Sequence, residues 1–183
     1  AEDGVPHRWV NAVKKCVADI ASNFTTNRML IDYEERFYNK LAQRKKLMLD
    51  KNYIMARQIA AWKRKVSAAW DNIVIRDVKR AEIESEAMYV GKKYHFELTI
   101  DLAGLQKEDI GAELVVATQI EAGQAANVVE TRRLEIVASD DKSVTLALDY
   151  APEHTGMFDV ALRVFPVNDN LEHRMDFALV KWA

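Results

Sequence analysis

Histidines, a cysteine and clustered basic residues are the side chains here that could do chemistry. The four histidines, His7, His95, His154 and His173, are scattered along the chain. None has a second ligand at metal-binding spacing, and His95 falls on the polar phase of an alternating run, where a side chain faces solvent. Cys16, the single cysteine, has no CxxC partner and lies on an apolar helical stripe. That predicts a packed thiol rather than a nucleophile, excludes an internal disulfide framework and fits a reducing compartment. Six glycines are too dispersed for a phosphate-cradling loop, and no nucleophile elbow or dinucleotide fingerprint occurs. No catalytic, metal or cofactor-binding residues can be assigned within the chain.

Binding chemistry is the other option. Arg44-Lys45-Lys46 and Lys63-Arg64-Lys65 could meet phosphate groups, but no aromatic platform or nucleic-acid motif accompanies them, and a solvated helix face accounts for them better. Exposed aromatic rings could stack on sugars. Tyr94, Phe96, Tyr150 and Phe158 share phase with aliphatic neighbours and are expected in a core. Tyr89, Phe165 and Trp182 fall outside those alternations or near chain ends, which makes them the candidate sugar platforms.

The helices that must position these groups come first. Trp9, Val13, Cys16 and Ile20 form one stripe of a helix expected from about Pro6 to Ala21, with Ser22-Asn23 breaking it. Thr25 or Thr26 is a good N-cap for the next helix. There Met29, Tyr33, Phe37 and Leu41 recur every four residues, with Leu30 and Tyr38 beside them. Acidic Asp32, Glu34 and Glu35 early and basic Lys40, Arg44, Lys45 and Lys46 late suit the helix dipole. Running from about residue 27 to about residue 49, this helix would span roughly 34 Å. The short break predicts that the two helices fold back on each other. A rod that long needs a substantial partner surface, so the chain is expected to be a piece of something larger; its first residue, Ala1 rather than Met, fits excision from a longer chain or the remnant of a tag. Asp50-Lys51-Asn52 reads as a turn, a kink or a polar face. Met55, Ile59, Trp62, Val66 and Ala69 or Trp70 then predict a third helix to about Ala69, exposing Arg57, Lys63, Arg64 and Lys65.

Near Trp70 the period shifts from near four to two. Strands are expected from Ile73, over Tyr94 to Asp101, over Ala112 to Thr118, at Leu134 and Ile136, over Val144 to Tyr150, over Phe158 to Pro166 and from Asp176 to Trp182. A turn is expected at residues 103–109 and a loop around Gly123. About seven or eight strands without a crossover helix predict an α+β protein: about three N-terminal helices, one of them long, followed by an antiparallel immunoglobulin-like β-sandwich. Residues 1–70 would form the helical segment and residues 71–183 the sandwich. Charge agrees, since residues 1–70 hold 14 Lys+Arg against 7 Asp+Glu and residues 71–183 hold 12 against 21. The composition, 49% hydrophobic and 30% charged, excludes disorder and a membrane protein. No apolar run nears the roughly 18 residues that span a bilayer, and the charged start, broken by Gly4 and Pro6, is no signal peptide.

The words of the sequence say more than its periodicity. Arg8-Trp9-Val10, then residues 20–33 (Ile-Ala-Ser-Asn-Phe-Thr-Thr-Asn-Arg-Met-Leu-Ile-Asp-Tyr), then Arg36-Phe37-Tyr38 resemble the closing helices of retaining glycan phosphorylases and glycogen synthases, above all the bacterial α-glucan phosphorylase branch. Residues 102–110, residues 156–166 and the ending Leu179-Val180-Lys181-Trp182-Ala183 resemble that branch's C-terminal extension. The resemblance implies a parent enzyme with a two-Rossmann core that transfers glucosyl units between an α-1,4-glucan and phosphate, using pyridoxal phosphate. It implies that the cofactor lysine and sugar-binding residues lie upstream, so this chain alone would be inactive, without cofactor, and partnered by the catalytic domains of its own polypeptide in the cytoplasm. Its sandwich would be structural or accessory. An alternative is a glucan-binding module using Tyr89, Phe165 and Trp182. Another is a stand-alone interaction protein whose basic helices contact nucleic acid or an acidic partner; on the leading reading neither a membrane nor a nucleic-acid partner is expected, and pairing of two copies through the helix stripe is a further expectation.

Overall fold

Pro6 lacks an amide hydrogen and its φ is preset, so a helix starts directly after it: α1, His7–Cys16, which widens into a π turn at Val17–Ala21. The computed structural model describes residues 4–21, 23–80, 88–118 and 127–183; the loop expected around Gly123 lies outside them. Thr25 caps α2, Thr26–Tyr33, its side-chain oxygen accepting from the Arg28 amide at 3.2 Å. One turn on, Arg28 bonds Asp32 at 2.9 Å.

A second π turn, Glu34–Tyr38, joins α2 to α3, Asn39–Trp70. Residues five apart line up in a π turn and not in an α-helix. Tyr33 and Tyr38 accordingly stack at 6.2 Å, with Phe37 5.8 Å from Tyr33.

Of the three readings open for Asp50-Lys51-Asn52, the kink is realised. Asp50 is extended, and Lys51, Asn52 and Tyr53 follow at φ 46°, 58° and 63°. The left-handed region costs an L-residue roughly 1–2 kcal/mol, least for asparagine. Helical geometry resumes for residues 54–70.

The chain divides into two compact units, Ala1–Arg57 and Gln58–Ala183. No described residue of the first unit is buried. Trp9 is 66% exposed and Phe24 76%, and Met29, Tyr33, Phe37 and Leu41 are all exposed. The expected fold-back of the first two helices therefore buries nothing.

In the second unit, α3 supplies Ile59, Val66 and Trp70 as buried residues, Val66 fully. Two antiparallel sheets follow. One has the order β1 (Val74–Arg80), β2 (Tyr94–Asp101), β6 (Ser143–Tyr150), β5 (Glu135–Ser139). The other runs β4 (Val128–Arg133), β3 (Ile110–Thr118), β7 (Phe158–Pro166), β8 (Lys181–Trp182). Leu98, Ile100, Val144 and Leu146 of the first sheet share one core with Leu114, Val116, Leu162 and Val164 of the second, and Val66 and Trp70 belong to it. The outer face of the first sheet carries ion pairs instead: Arg76 with Asp101 at 2.6 Å, Lys79 with Glu97 at 2.5 Å and His95 with Asp149 at 2.7 Å.

Two expectations are corrected. The single strand expected at Leu134 and Ile136 is two strands in different sheets. The chain crosses at the buried Leu134, whose amide donates to the Ala112 carbonyl at 2.9 Å. The strand expected from Asp176 is a 3₁₀ turn, Arg174–Phe177, with only Lys181–Trp182 paired. There the Phe177 ring packs edge-on to Trp62 at 5.3 Å, and Lys63 bonds the Asp176 carbonyl at 2.6 Å.

Trp70→Ala is expected to cost about 3–5 kcal/mol of sandwich stability, whereas Trp9→Ala should stay within about 0.5 kcal/mol. Urea unfolding of both variants checks this; equal losses would contradict the division into units.

Candidate functional site

The alternation of β2, β6 and β7 sends aromatic rings inward at one end of the sandwich. Tyr94 faces Tyr150 across β2 and β6, and Phe158 starts β7 opposite the last residue of β3. At that end lies a cavity of about 720 Å³. Phe96, Leu114, Tyr150, Phe158 and Leu162 line its wall, and Arg80, Tyr89, His154, Thr155 and Asp159 contribute polar groups. The Tyr89 turn is tied down: its amide donates to Tyr94 Oη at 2.7 Å, and the Gly91 amide donates to the Pro152 carbonyl at 3.0 Å. On the far side Gly156 sits at φ +151°, where a Cβ would meet the Phe158 ring at 3.0 Å. Only a glycine lets the loop lie against that ring.

Tyr150 contributes its ring alone, because its hydroxyl donates to Glu130 Oε2 at 3.0 Å. Burial, reinforced by the Glu130 carboxylate, pushes the phenol up to about 12. It does not ionise at neutral pH, so it cannot serve as a base there.

A second cluster lies on β3 and β7. Glu113, the buried acidic residue of the described set, accepts from Arg163 and, at 2.6 Å, from Arg174. The Arg174 guanidinium lies 5.3 Å from the Phe165 ring centre and that of Arg163 5.6 Å from Trp182. Sequence reasoning missed this cluster. Its available signal was a charge set among apolar neighbours in each of two runs, Glu113 in β3 and Arg163 within the 160–166 stretch of β7, which face each other in register.

The three candidate sugar platforms therefore separate. Tyr89 is 62% exposed and lines the cavity. Phe165 is only 9% exposed. Trp182 is 58% exposed, with Arg163 near its ring. The structure brings Phe165 and Trp182 to one neighbourhood around Glu113 and leaves Tyr89 at the cavity.

Other candidates resolve more simply. His95 is exposed and bonded to Asp149, and His173 accepts from the Met175 amide at 3.1 Å. Cys16 is exposed, which corrects the expectation of a packed thiol, since nothing lies over its stripe. Lys65 of the second basic cluster bonds Asp109 Oδ2 at 3.0 Å, so part of that cluster is used within the second unit. Among the described residues there is no metal-binding group, and no helix is long and apolar enough to cross a membrane.

Asp109 is held by three different groups. It accepts from the Trp62 indole at 2.7 Å, from Lys65 and from the Gln106 amide at 3.0 Å. Burial works against the charge, but the Gln106 amide, Lys65 and Trp62 outweigh it and hold the carboxyl below its usual range.

Residues 70–183 match the family model described as the glycogen phosphorylase C-terminal domain. The chain belongs to that family. It is 27% identical over 179 residues to the maltodextrin phosphorylase of Thermococcus litoralis, an alignment spanning 96% of this chain and 20% of that protein. It is 27% identical over 164 residues to the glycogen phosphorylase of Mycobacterium tuberculosis, covering 90% of this chain and 17% of the relative. A stretch of 40 residues is 42% identical to the Aquifex aeolicus glycogen phosphorylase, which covers 22% of this chain and 6% of that protein. The chain thus spans about a fifth of the length of the first of these relatives. No solved structure matches it significantly.

Two pH effects follow. Asp109 has a depressed folded value, so its contribution is present above the unfolded value of about 3.9 and is lost as pH falls through the folded one. Asp109→Asn should cost about 1–3 kcal/mol at neutral pH, and the loss should shrink in acid unfolding below about pH 4. His95 is raised, mainly by its bond to Asp149. Its contribution is whole below the unfolded value of about 6.5 and fades as pH rises through the folded value. The stability gap between the native chain and His95→Gln should therefore narrow above about pH 6.5; a widening gap in urea titrations would contradict the assignment.

Proposed function

We propose that the chain is a non-catalytic C-terminal segment of an α-glucan phosphorylase, the parent enzyme transferring glucosyl units between an α-1,4-glucan and phosphate in the cytoplasm. Residues 1–70 are read as the helical segment closing on the catalytic body, and residues 71–183 as an immunoglobulin-like accessory domain. The observation that carries this is the run of exposed Met29, Tyr33, Phe37 and Leu41 in a unit with no buried described residue. Aligned relatives carry this helical stretch within proteins about five times longer. An apolar stripe of that length is stable in water only when covered. The occupant is the catalytic part of the same polypeptide, and pairing of two copies is the competing outcome of the test below.

Pyridoxal phosphate belongs to that catalytic part. It is an aldehyde cofactor that needs a lysine amine, and no lysine lines the cavity here. The residues present do not fit it.

The reading as a stand-alone protein with nucleic-acid-binding helices is disfavoured by Lys63 and Lys65, both bonded inside the second unit.

Incubating the chain with maltoheptaose, phosphate and pyridoxal phosphate should yield no glucose 1-phosphate; turnover would overturn the proposal. In the intact polypeptide, Tyr33→Glu with Phe37→Glu should lower the melting temperature of the catalytic part. In the isolated chain the same changes should stay within about 0.5 kcal/mol. If they instead abolish dimers of the isolated chain, the stripe belongs to a second copy.

A further inference from the structure

We propose that the cavity at the Tyr94, Tyr150 and Phe158 end of the sandwich binds a short α-1,4-glucan segment, with Tyr89 as its stacking platform. This rests on the reading above that the chain is part of a glucan-handling enzyme. A glucosyl ring has an apolar C–H face and a rim of hydroxyls, so it fits a site with an aromatic wall and hydrogen-bonding groups at the mouth. The cavity has both: the rings of Tyr89, Tyr150 and Phe158, and the polar heads of Arg80, His154 and Thr155. Its volume of about 720 Å³ lies in the range of small-ligand sites.

Preorganisation favours Tyr89 over the other two aromatic candidates. Its backbone is fixed by the bond to Tyr94 Oη while the residue stays 62% exposed. Phe165 is sunk to 9% exposure. Trp182 has a guanidinium near its ring and does not line this cavity. A wholly apolar ligand would leave the polar groups of the cavity unused.

Titrating the 183-residue chain with maltoheptaose, followed by calorimetry and amide NMR, tests the site. Saturable shifts at Gly91, Thr155 and Gly156 are expected. Tyr89→Ala should weaken binding about tenfold, the equivalent of about 1.4 kcal/mol, while Trp182→Ala leaves it unchanged. Gly156→Val, which drives a side chain toward Phe158, should abolish it with the fold retained by circular dichroism. No binding at millimolar sugar, equal binding of cello-oligosaccharide, or loss through Trp182→Ala alone would overturn the proposal. So would displacement of a bound apolar dye by hydrocarbon but not by sugar. Those outcomes leave the segment reading standing, whereas turnover by the chain alone overturns that reading and not the site.

Discussion

The second unit depends on one junction, the seat of the final helical turns in the β-sandwich. Val66 is fully buried and Trp70 nearly so, both in the core formed by the two sheets. Asp109 fixes the same helix from the side, through the Trp62 indole and the Lys65 ammonium. Apolar burial supplies the strength and the charge-assisted bonds supply the register. Phe177, packed on Trp62, brings the C-terminal segment to the same place. The Asp109 carbonyl accepts from the Val167 amide at 2.8 Å, so the segment leaving β7 is held there too.

The first unit follows the opposite logic. It carries large apolar side chains of the kind that fill a core, Met29, Tyr33, Phe37 and Leu41 among them, yet none of its described residues is buried. Each large apolar side chain left in water forgoes about 1.5–3 kcal/mol of transfer free energy. Isolated helices of this length are marginal without tertiary packing. Three successive left-handed residues, Lys51 to Tyr53, add strain where the two helical stretches meet. On the proposed reading, such a unit is a surface that the rest of a longer polypeptide covers, and the relatives aligned with it are about five times longer.

How much was legible depended on how local the determining interaction is. The alternations at residues 94–101, 144–150 and 158–166 were read correctly, because period two follows from the pleat and one buried face. The Thr25 cap was legible for the same reason: its hydrogen bond reaches only three residues along the chain. β4 was not, because Val128, Val129, Arg132 and Arg133 occupy an edge strand with mostly exposed side chains and so no alternation. The strand assumed at residues 176–182 was wrong because Phe177 is recruited by a ring more than a hundred residues earlier. Glu113 and its two arginines were invisible for a similar reason, since the contact with Arg174 spans 61 positions. Of the aromatic candidates, exposure could be guessed from phase for Tyr89 and Trp182. For Phe165 it could not, because its ring lies against Gly111 and Arg174.

Hydrogen–deuterium exchange across residues 26–49, read in the isolated chain and again in the intact polypeptide, tests the central claim most directly. The account predicts rapid exchange in isolation and protection once the catalytic part is present, with the amides of residues 94–101 protected in both. Equal protection of residues 26–49 in the two states would contradict it, because the apolar stripe would then need no cover beyond this chain.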